Sequence, residues 1–281
     1  MSGDSDLYGE CSAVDYFDDN GSVDPLITWW YNGRRHIIRD RGKVFAQMPT
    51  LNRRFNDFVD FAISPVDVII GDTALMNSAY YKAVRMMESV VLVNNGNGTF
   101  VIRQLPAEAQ ISPVLGIEAM DLNNDAYVDL VLTGNMYGAE DDVVRYDAGK
   151  GLVLMSQAGK AFTPLTIPES GFVVQFDARG LVSVRNPKSV QTPVVLIAGV
   201  NQRNAMTYLP TQPTMKIYPV DPSRVTSGLF AVPGGQRKVE VYCGSAYRGQ
   251  SSCHFFVPPG STTVTTFYGP KKLGSGSTQT K

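Results

Sequence analysis

The sequence predicts a mainly β protein built from short strands, and three observations support this prediction. Gly (26 residues) and Pro (17 residues) are plentiful in a chain of 281 residues that also holds 13 Tyr and 13 Phe, a composition typical of turn-rich β folds. β-Prone runs recur along the chain and are separated by tight-turn sequences such as Asn-Gly. A hydrophobic content of 43% is enough for a sizeable core, in one large domain or two small ones.

Charge and residue counts exclude several classes of function. The chain has 25 basic and 26 acidic residues and a net charge of −1, which argues against electrostatic binding of nucleic acid. Its two histidines, His36 and His254, are too few for a multi-histidine metal centre. No run of about 18 apolar residues occurs, so we expect no integral membrane segment. The polar first residues lack the features of a signal peptide, which predicts an intracellular protein or a natural N-terminus further upstream.

The cysteines leave two alternatives open. Cys243 and Cys253 flank a short segment, and a disulfide between them requires that their Cα atoms approach within about 7 Å. The alternative is a pair of free, half-buried thiols, which is the favoured interpretation. Cys11 stays unpaired in either case.

Residues 8–38 are predicted to form a first β segment with a hairpin. Two β-prone runs, residues 25–31 and 34–38, are separated by Asn32 and Gly33, the residue types that accept positive φ at both turn positions. Trp29 and Trp30 are adjacent in the first run. Because successive strand residues point to opposite faces, we expect one of them to face the core and the other to face outward.

Residues 39–88 are predicted to form a helical insertion. Apolar residues follow a possible N-cap, Thr50, at the spacing of one amphipathic helix. They are Leu51, Phe55, Phe58, Val59 and Ala62. Ser64 and Pro65 open a second short helix, and residues 74–87 are predicted to form a third.

Strand patterns resume after residue 88. Residues 89–212 contain a hairpin around the glycines at 96 and 98, a strand from residue 128, a hairpin across 157–160 and a buried strand at 193–198. Residues 213–270 carry further short strands and are predicted to form a small C-terminal β module. Residues 271–281 have the composition of a flexible tail.

An acidic loop at residues 121–129 has the spacing of a calcium site. Asp121, Asn123, Asp125 and Asp129 supply oxygens at positions 1, 3, 5 and 9, and the backbone carbonyl of Tyr127 at position 7 completes the set. Calcium accepts six to eight such oxygens in irregular geometry, whereas magnesium demands a near-ideal octahedron. The loop holds no Cys or His, which argues against zinc. The alternative is an Asx-rich turn that caps its own backbone without a metal.

A second loop has a similar but incomplete pattern. Asp18, Asn20 and Asp24 stand at positions 3, 5 and 9, but Tyr16 stands at position 1 and Asp15 lies one residue too early. In both loops we expect the calcium to be structural, joining two strands rather than performing chemistry. Ala126 stands at position 6 of the loop at 121–129, where glycine is usual and where a positive φ would strain alanine.

The ordered series of these segments resembles a known family. Residues 95–100 (NGNGTF) followed by the loop at 121–129 are similar to the FG-GAP/VCBS repeat of integrin-α-like β-propellers. Residues 105–114, 134–138 and 145–148 look like the linking segments of large VCBS-repeat proteins of the Bacteroidetes type. Residues 235–237 and 244–252 resemble the ASPIC/UnbV module that often follows such propellers. The resemblance covers roughly residues 8–268.

The resemblance implies a fold, a location and a function. Residues 8–38 and 89–212 would be propeller-type blades, and the C-terminal module would be ASPIC/UnbV-like. Closure typically takes four to eight four-stranded blades, and about three fit here, so the remainder of a longer chain or a partner would complete the ring. The implied function is that of a non-enzymatic, calcium-stabilised binding or adhesion module of a secreted or cell-surface protein, which recognises protein or glycan through its loops. Tyr16, Ala126 and Cys253 depart from the family pattern.

Two other functions remain as alternatives. A propeller-based carbohydrate hydrolase or lyase would use the clustered carboxylates Asp121, Asp125 and Asp129, although mutual ligation of one cation explains them better. The second alternative is that the chain is a structural spacer in a larger surface protein.

The remaining candidate side chains do not indicate catalysis. Cys253 and His254 are neighbours in a strand and point to opposite faces, so they form no nucleophile–base pair. We expect the side chain of His36 to be exposed or to cap the backbone. We expect residues 140–142 to form a solvated acidic loop.

Overall fold

The structure is a computed structural model whose described residues are mainly β, which confirms the predicted class. The described residues are 9–14, 24–71, 76, 80–139, 144–186, 188–189, 194–210, 216–232, 235–243, 250–258, 260–261 and 264–268. The chain divides into two compact units, Met1–Glu88 and Ser89–Lys281. The tail at 271–281 lies outside the described residues.

The first unit contains a four-stranded antiparallel sheet in the order β3-β2-β1-β4. Its strands are β1 (Gly9–Val14), β2 (Asp24–Tyr31), β3 (Arg34–Ile37) and β4 (Tyr80–Val84). Asn32 and Gly33 connect β2 to β3 with φ of 48° and 72°, so the hairpin predicted from these two residues is confirmed.

Short helices pack on the first sheet and form its core. They are α1 (Arg41–Gln47), a 3-10 helix (Pro49–Arg53), α2 (Phe58–Ile63) and α3 (Val66–Ile70). Leu26 of β2 packs with buried helical side chains such as Val44, Phe61 and Ile69. The second short helix predicted after Ser64 is confirmed as α3, with Pro65 at its N-cap.

The prediction of one amphipathic helix from Leu51 to Ala62 is wrong. The 3-10 helix ends at Arg53, and a new helix begins after Asp57, whose carboxylate accepts hydrogen bonds from the N–H of Val59 (2.6 Å) and of Asp60 (3.4 Å). An aspartate that caps a helix N-terminus satisfies N–H groups that a continuous helix would have paired internally. The break leaves Phe58 and Val59 exposed at 67% and 64% instead of buried.

The prediction of a helix over residues 74–87 is wrong for residues 80–84, which form strand β4. Tyr80–Val84 pair antiparallel with β1, with Tyr81 opposite Ser12. Residues 72–75 and 77–79 lie outside the described residues. Partners 70 residues away in the sequence override a local helical pattern, because strand preference depends mainly on packing against neighbouring strands.

The two tryptophans lie on opposite faces of the sheet, as expected, but the expectation that one of them is buried in the core is wrong. Trp29 is 51% exposed and Trp30 is 43% exposed. The Trp29 ring stacks on Tyr31 with a centroid distance of 6.2 Å, on the sheet face opposite the buried Leu26 and Thr28. Trp30 lies on the same face as those buried residues, near the end of β2.

The second unit contains five small sheets among its described residues. A hairpin joins β5 (Val90–Asn94) to β6 (Phe100–Gln104). Four consecutive strands form the antiparallel sheet β10-β9-β8-β7. They are β7 (Val114–Met120), β8 (Asp129–Gly134), β9 (Leu152–Gln157) and β10 (Ala161–Leu165). The next three form the sheet β11-β12-β13. They are β11 (Ala178–Arg185), β12 (Val194–Val200) and β13 (Met206–Tyr208).

The remaining strands of this unit form two further sheets. β14 (Lys216–Pro219) pairs with β17 (His254–Val257). β15 (Val225–Val232) lies between β16 (Gly235–Glu240) and β18 (Val264–Tyr268). No closed barrel or ring of blades is identified in the described residues.

Helices contribute little to the second unit. It contains α4 (Ile167–Ser170) and a 3-10 helix at Ala107–Ala109. None of the helices in the described part of the chain is long and apolar enough to cross a membrane.

One hydrophobic core of the second unit lies between the sheet of β7–β10 and the sheet of β11–β13. Val131, Val153, Leu181 and Leu196 are among the buried residues that form it. A Cβ at Gly116 would lie 2.7 Å from the backbone nitrogen of Leu181, so glycine permits the close approach of β7 and β11. The apolar runs predicted as buried strands therefore do form the core.

Asn135 fixes the end of β8. Its fully buried amide Nδ2 donates to the carbonyls of Gly149 (2.8 Å) and Phe176 (2.7 Å). Its Oδ1 accepts from the N–H of Gly149 (2.8 Å) and from Ser112 Oγ (2.7 Å). All the hydrogen-bonding positions of a side-chain amide are thus used, which holds three loops to one strand end.

A buried polar cluster ties the later strands to the earlier sheets. Ser251 Oγ donates to Glu118 Oε1 (2.6 Å), and the N–H of Ser183 donates to the same oxygen (3.0 Å) and to Ser251 Oγ (3.1 Å). All three residues are buried. β7, β11 and the segment before β17 are held together by this cluster.

Cys243 and Cys253 form a disulfide, so the favoured interpretation of free thiols is wrong. Their Cα atoms lie 5.1 Å apart, inside the limit that a disulfide requires. The N–H of Ser251 donates to the carbonyl of Cys243 (2.7 Å), which brings the two backbone segments together. This close approach depends on pairing between strands that the spacing of the cysteines does not reveal.

Replacing both Cys243 and Cys253 by serine should lower the free energy of unfolding by about 2–3 kcal/mol, because the bond closes a loop of about ten residues in the unfolded chain. Urea unfolding followed by circular dichroism measures the change. Cys11→Ser is the control and should leave the disulfide intact. Equal stability of the double variant and the control would contradict the bond.

Candidate metal-binding loop

The acidic loop connects β7 to β8 and is closed by their pairing. Met120 and Asp129, at its two ends, are opposite each other in the sheet register. The chain therefore leaves β7 and returns to β8 within a few ångströms, with residues 121–128 curled between the strand ends. The side chains at the two ends of the curl, Asp121 and Asp129, are buried, whereas those of Asn123 and Asp125 are exposed.

Side chains at positions 1, 3 and 5 of the loop hold its backbone through hydrogen bonds. Asp121 Oδ1 accepts from the N–H of Asp125 (3.1 Å), and its Oδ2 accepts from the N–H of Ala126 (2.8 Å). Asn123 Oδ1 accepts from the N–H of Asp125 (3.2 Å), and Asn123 Nδ2 donates to Asp125 Oδ2 (3.0 Å). Asp125 Oδ1 accepts from the N–H of Tyr127 (2.8 Å). The backbone is thereby held in the curled conformation without any added ion.

Asp129 is the buried member of the set. Its side chain is inaccessible to solvent, and its Oδ2 accepts from the N–H of Leu122 (2.8 Å) while its Oδ1 accepts from the N–H of Ser156 (2.7 Å). Burial raises the pKa of the Asp129 carboxyl, and the negative charges of Asp125 and Asp121 raise it further, against the lowering effect of the two hydrogen bonds. Burial thus disfavours the charged form of Asp129, and a cation nearby would favour it.

The raised pKa of Asp129 also bears on the enzymatic alternative. A general acid needs a raised pKa, which the sequence alone did not indicate for any residue of the loop. Both oxygens of Asp129, however, accept backbone N–H bonds in a buried position. Both oxygens of this carboxylate are therefore engaged in holding the backbone of Leu122 and Ser156.

Two residues of the loop have left-handed backbone conformations. Asn124 has a φ of 60° and Ala126 a φ of 69°. Asparagine adopts this region readily, but alanine does so at a cost of roughly 1–2 kcal/mol. The strain expected at Ala126 from its position in the loop is confirmed.

Arg237 joins the loop from a distant part of the sequence. Its Nη1 donates to the carbonyl of Ala126 (2.8 Å), across 111 residues of chain. Burial lowers the pKa of the guanidinium, and the charge of Asp121 opposes that shift. The local sequence around Arg237 resembles a family motif but does not indicate that β16 reaches this loop.

The donor set fits calcium in its chemistry. Three carboxylates, one side-chain amide and the Tyr127 carbonyl lie within nine residues, and all are hard oxygen donors. As placed, the described side chains include no group of three or more His, Cys, Asp and Glu that gathers around one point. Asn123 and Asp125 are exposed, so their side chains can turn toward an ion without a change in the buried part of the loop.

The second predicted loop falls largely outside the described residues. Asp18 and Asn20 lie outside the described residues, and Asp24 begins β2 with a side chain that also lies outside them. The acidic segment at residues 140–142 falls outside the described residues as well.

The histidines have other surroundings. His36 lies opposite Trp29 in the sheet, and its ring meets the edge of Tyr31 at a centroid distance of 5.8 Å. Burial lowers the pKa of His254, which keeps its imidazole neutral at pH 7. The sulfur of Cys253 is bonded to Cys243 and is not available as a thiolate, which rules out a Cys253–His254 nucleophile pair.

No protein-family model, no curated protein and no solved structure matches the chain. The function proposed for the loop therefore depends on its geometry and donor chemistry.

Ala126→Gly should raise the free energy of unfolding by about 1 kcal/mol, because glycine adopts a φ of 69° without the steric cost that alanine bears. Denaturant unfolding measures the difference. Ala119→Gly is the matched control in β7, where ordinary strand geometry predicts a loss of about 0.5–1 kcal/mol. Similar losses in both variants would show that Ala126 is not strained.

Proposed function

We propose that this chain is a calcium-stabilised binding module of a secreted or cell-surface protein, which recognises a protein or a glycan through loops on a β scaffold. One calcium ion would be held by Asp121, Asn123, Asp125, Asp129 and the carbonyl of Tyr127. Its role would be structural, because it joins the ends of two neighbouring strands.

The loop at 121–129 carries the proposal. Its backbone is already curled, and Asp129 bears a charge that burial and two neighbouring aspartates disfavour. A divalent cation would offset that unfavourable charge and would replace water at the exposed Asp125 and Asn123. The oxygen donors and the irregular geometry of the curl favour calcium over magnesium or zinc.

The disulfide supports a location outside the cytosol. Cys243 and Cys253 are bonded, and disulfides persist mainly in oxidising compartments. Millimolar calcium in such compartments would keep even a weak structural site filled, since extracellular modules bind calcium with dissociation constants of about 10⁻⁴–10⁻³ M.

The sheet of β7–β10 supports a propeller-type architecture for the second unit. Its four strands follow one another in chain order as an antiparallel meander, which is how a propeller blade is built. The NGNGTF segment forms the β5–β6 hairpin just before it, in the order of the FG-GAP/VCBS repeat. We propose that the remainder of a longer chain, or a partner, completes the ring of blades.

A non-enzymatic role fits the environment of the carboxylates. Asp121 and Asp129 are buried and accept two backbone hydrogen bonds each. Recognition is expected in the loops between strands, which a rigid β scaffold positions and which tolerate variation.

Calcium should raise the melting temperature of the chain by about 5–10 °C at a concentration of about 100 times the dissociation constant, and excess chelator should abolish the rise. Asp121→Ala should remove the calcium-dependent shift, because it removes the first ligand. Differential scanning calorimetry of both proteins measures it.

Asp147→Asn is the matched control, an exposed aspartate outside the loop that pairs with Arg145. It should retain the full shift. A wild-type chain that does not respond to calcium would refute the metal proposal. An unchanged shift in Asp121→Ala would refute the assignment of the site.

A further inference from the structure

A cavity of about 670 Å³ lies against the acidic loop in the second unit. The β5–β6 hairpin forms one side, residues 126–128 of the loop form another, and the turn between β9 and β10 forms a third. Its size is within the range of small-molecule sites, about 300–1,000 Å³.

The charged groups of the cavity are all of one sign. Arg103, Lys160 and Arg237 line it, and no aspartate or glutamate does so among the described residues. This contrasts with the nearly neutral chain as a whole. Three cations around one concave space favour an anionic ligand.

Arg103 is held in place for such a ligand. Its Nη1 donates to the carbonyls of Gly159 (3.1 Å) and Lys160 (2.7 Å), which fixes the guanidinium across the turn. Within the described residues, this leaves the N–H groups of Nη2 and Nε for a ligand. Guanidinium N–H groups match a carboxylate or a sulfate in a planar, two-point geometry.

The other walls of the cavity are apolar and aromatic. Val91, Val93 and Phe162 line it together with Tyr127, whose ring is part-exposed beside Gly159. Surfaces of this kind fit the C–H face of a sugar ring, and aromatic side chains at binding sites present an apolar face with a polar edge.

We propose that this cavity binds an acidic sugar, a mono- or disaccharide that carries a carboxylate on its ring. The inference rests on the proposed function, because it specifies the glycan that the module recognises. The carboxylate would lie between Arg103 and Lys160, and the ring would pack on Phe162 and Tyr127.

The arrangement of the lining side chains favours a sugar over an acidic peptide. The cations lie beside an apolar and aromatic wall within one space of about 670 Å³. A sugar acid carries its charge and its apolar face on one compact ring, which matches this arrangement.

The calcium loop would modulate this binding. Ala126, Tyr127 and Val128 belong both to the loop and to the cavity wall. Asp121, Asp125 and Asp129 would repel an anion next to that wall, and a bound divalent cation would reduce this repulsion. The acidic sugar should therefore bind more tightly to the calcium-loaded chain than to the calcium-free chain.

Isothermal titration calorimetry with digalacturonate tests the proposal, with the neutral disaccharide galactobiose as the matched ligand. The calcium-loaded chain should bind digalacturonate, and galactobiose should bind at least about tenfold more weakly because it lacks the charge-assisted hydrogen bonds. Lys160→Glu should weaken digalacturonate binding by about tenfold or more, since Lys160 is exposed and its Nζ has no partner among the described residues.

Lys216→Glu is the matched control, with the same change of charge at an exposed lysine of β14 outside the cavity. It should bind as the wild type does. Equal binding by both lysine variants, equal affinity for galactobiose, or binding of a tetraglutamate peptide that competes with digalacturonate would each overturn the proposal.

A calcium titration in the same instrument separates the two claims. If calcium binds and digalacturonate does not, the acidic-sugar site is wrong while the calcium-stabilised module remains. If digalacturonate binds in a Lys160-dependent manner and calcium does not bind, the cavity assignment is supported and the proposed calcium function is refuted.

Discussion

The buried carboxylate of Asp129 is the constraint on which the candidate site depends. It begins β8, and its two oxygens hold the N–H of Leu122 in the loop and the N–H of Ser156 in β9. Those bonds position the loop against the sheet, yet burial and the charges of Asp125 and Asp121 make the ionised form unfavourable. The two hydrogen bonds offset only part of that effect, so the pKa of the Asp129 carboxyl is raised. A cation that binds the loop would convert that cost into stabilisation.

Residues from distant parts of the chain contact this loop and the sheet that carries it. Arg237 reaches the Ala126 carbonyl from β16, and the Glu118–Ser251–Ser183 cluster holds the later strands against the same sheet. The loop, the C-terminal strands and the basic cavity therefore share walls. A change in the charge of the loop would be transmitted to the cavity through the electrostatic field and through residues 126–128, without any movement of domains.

Local patterns predicted the local features well. Asn32 and Gly33 marked a hairpin, and position 6 of the acidic loop marked the strained Ala126, because both depend on the φ preferences of single residues. Features that depend on contacts between segments distant in the sequence were not predicted. Tyr80–Val84 became a strand through β1, the helix after Leu51 broke at the Asp57 cap, and the Cys243–Cys253 bond depends on segments that β-sheet pairing brings together. Arg237 shows the same limit at the site, since its partner is 111 residues away.

Terbium luminescence tests the central claim, that the loop at 121–129 holds a calcium ion, most directly. Terbium takes the same oxygen ligands as calcium, and the ring of Tyr127 stands at the position whose carbonyl would coordinate the ion. Excitation of tyrosine should therefore produce terbium emission that calcium displaces. Tyr127→Phe should lose most of the emission but still bind calcium, because the ligand is a backbone carbonyl. Emission that is absent from the wild type, or that is unchanged in Tyr127→Phe, would contradict a metal ion in this loop.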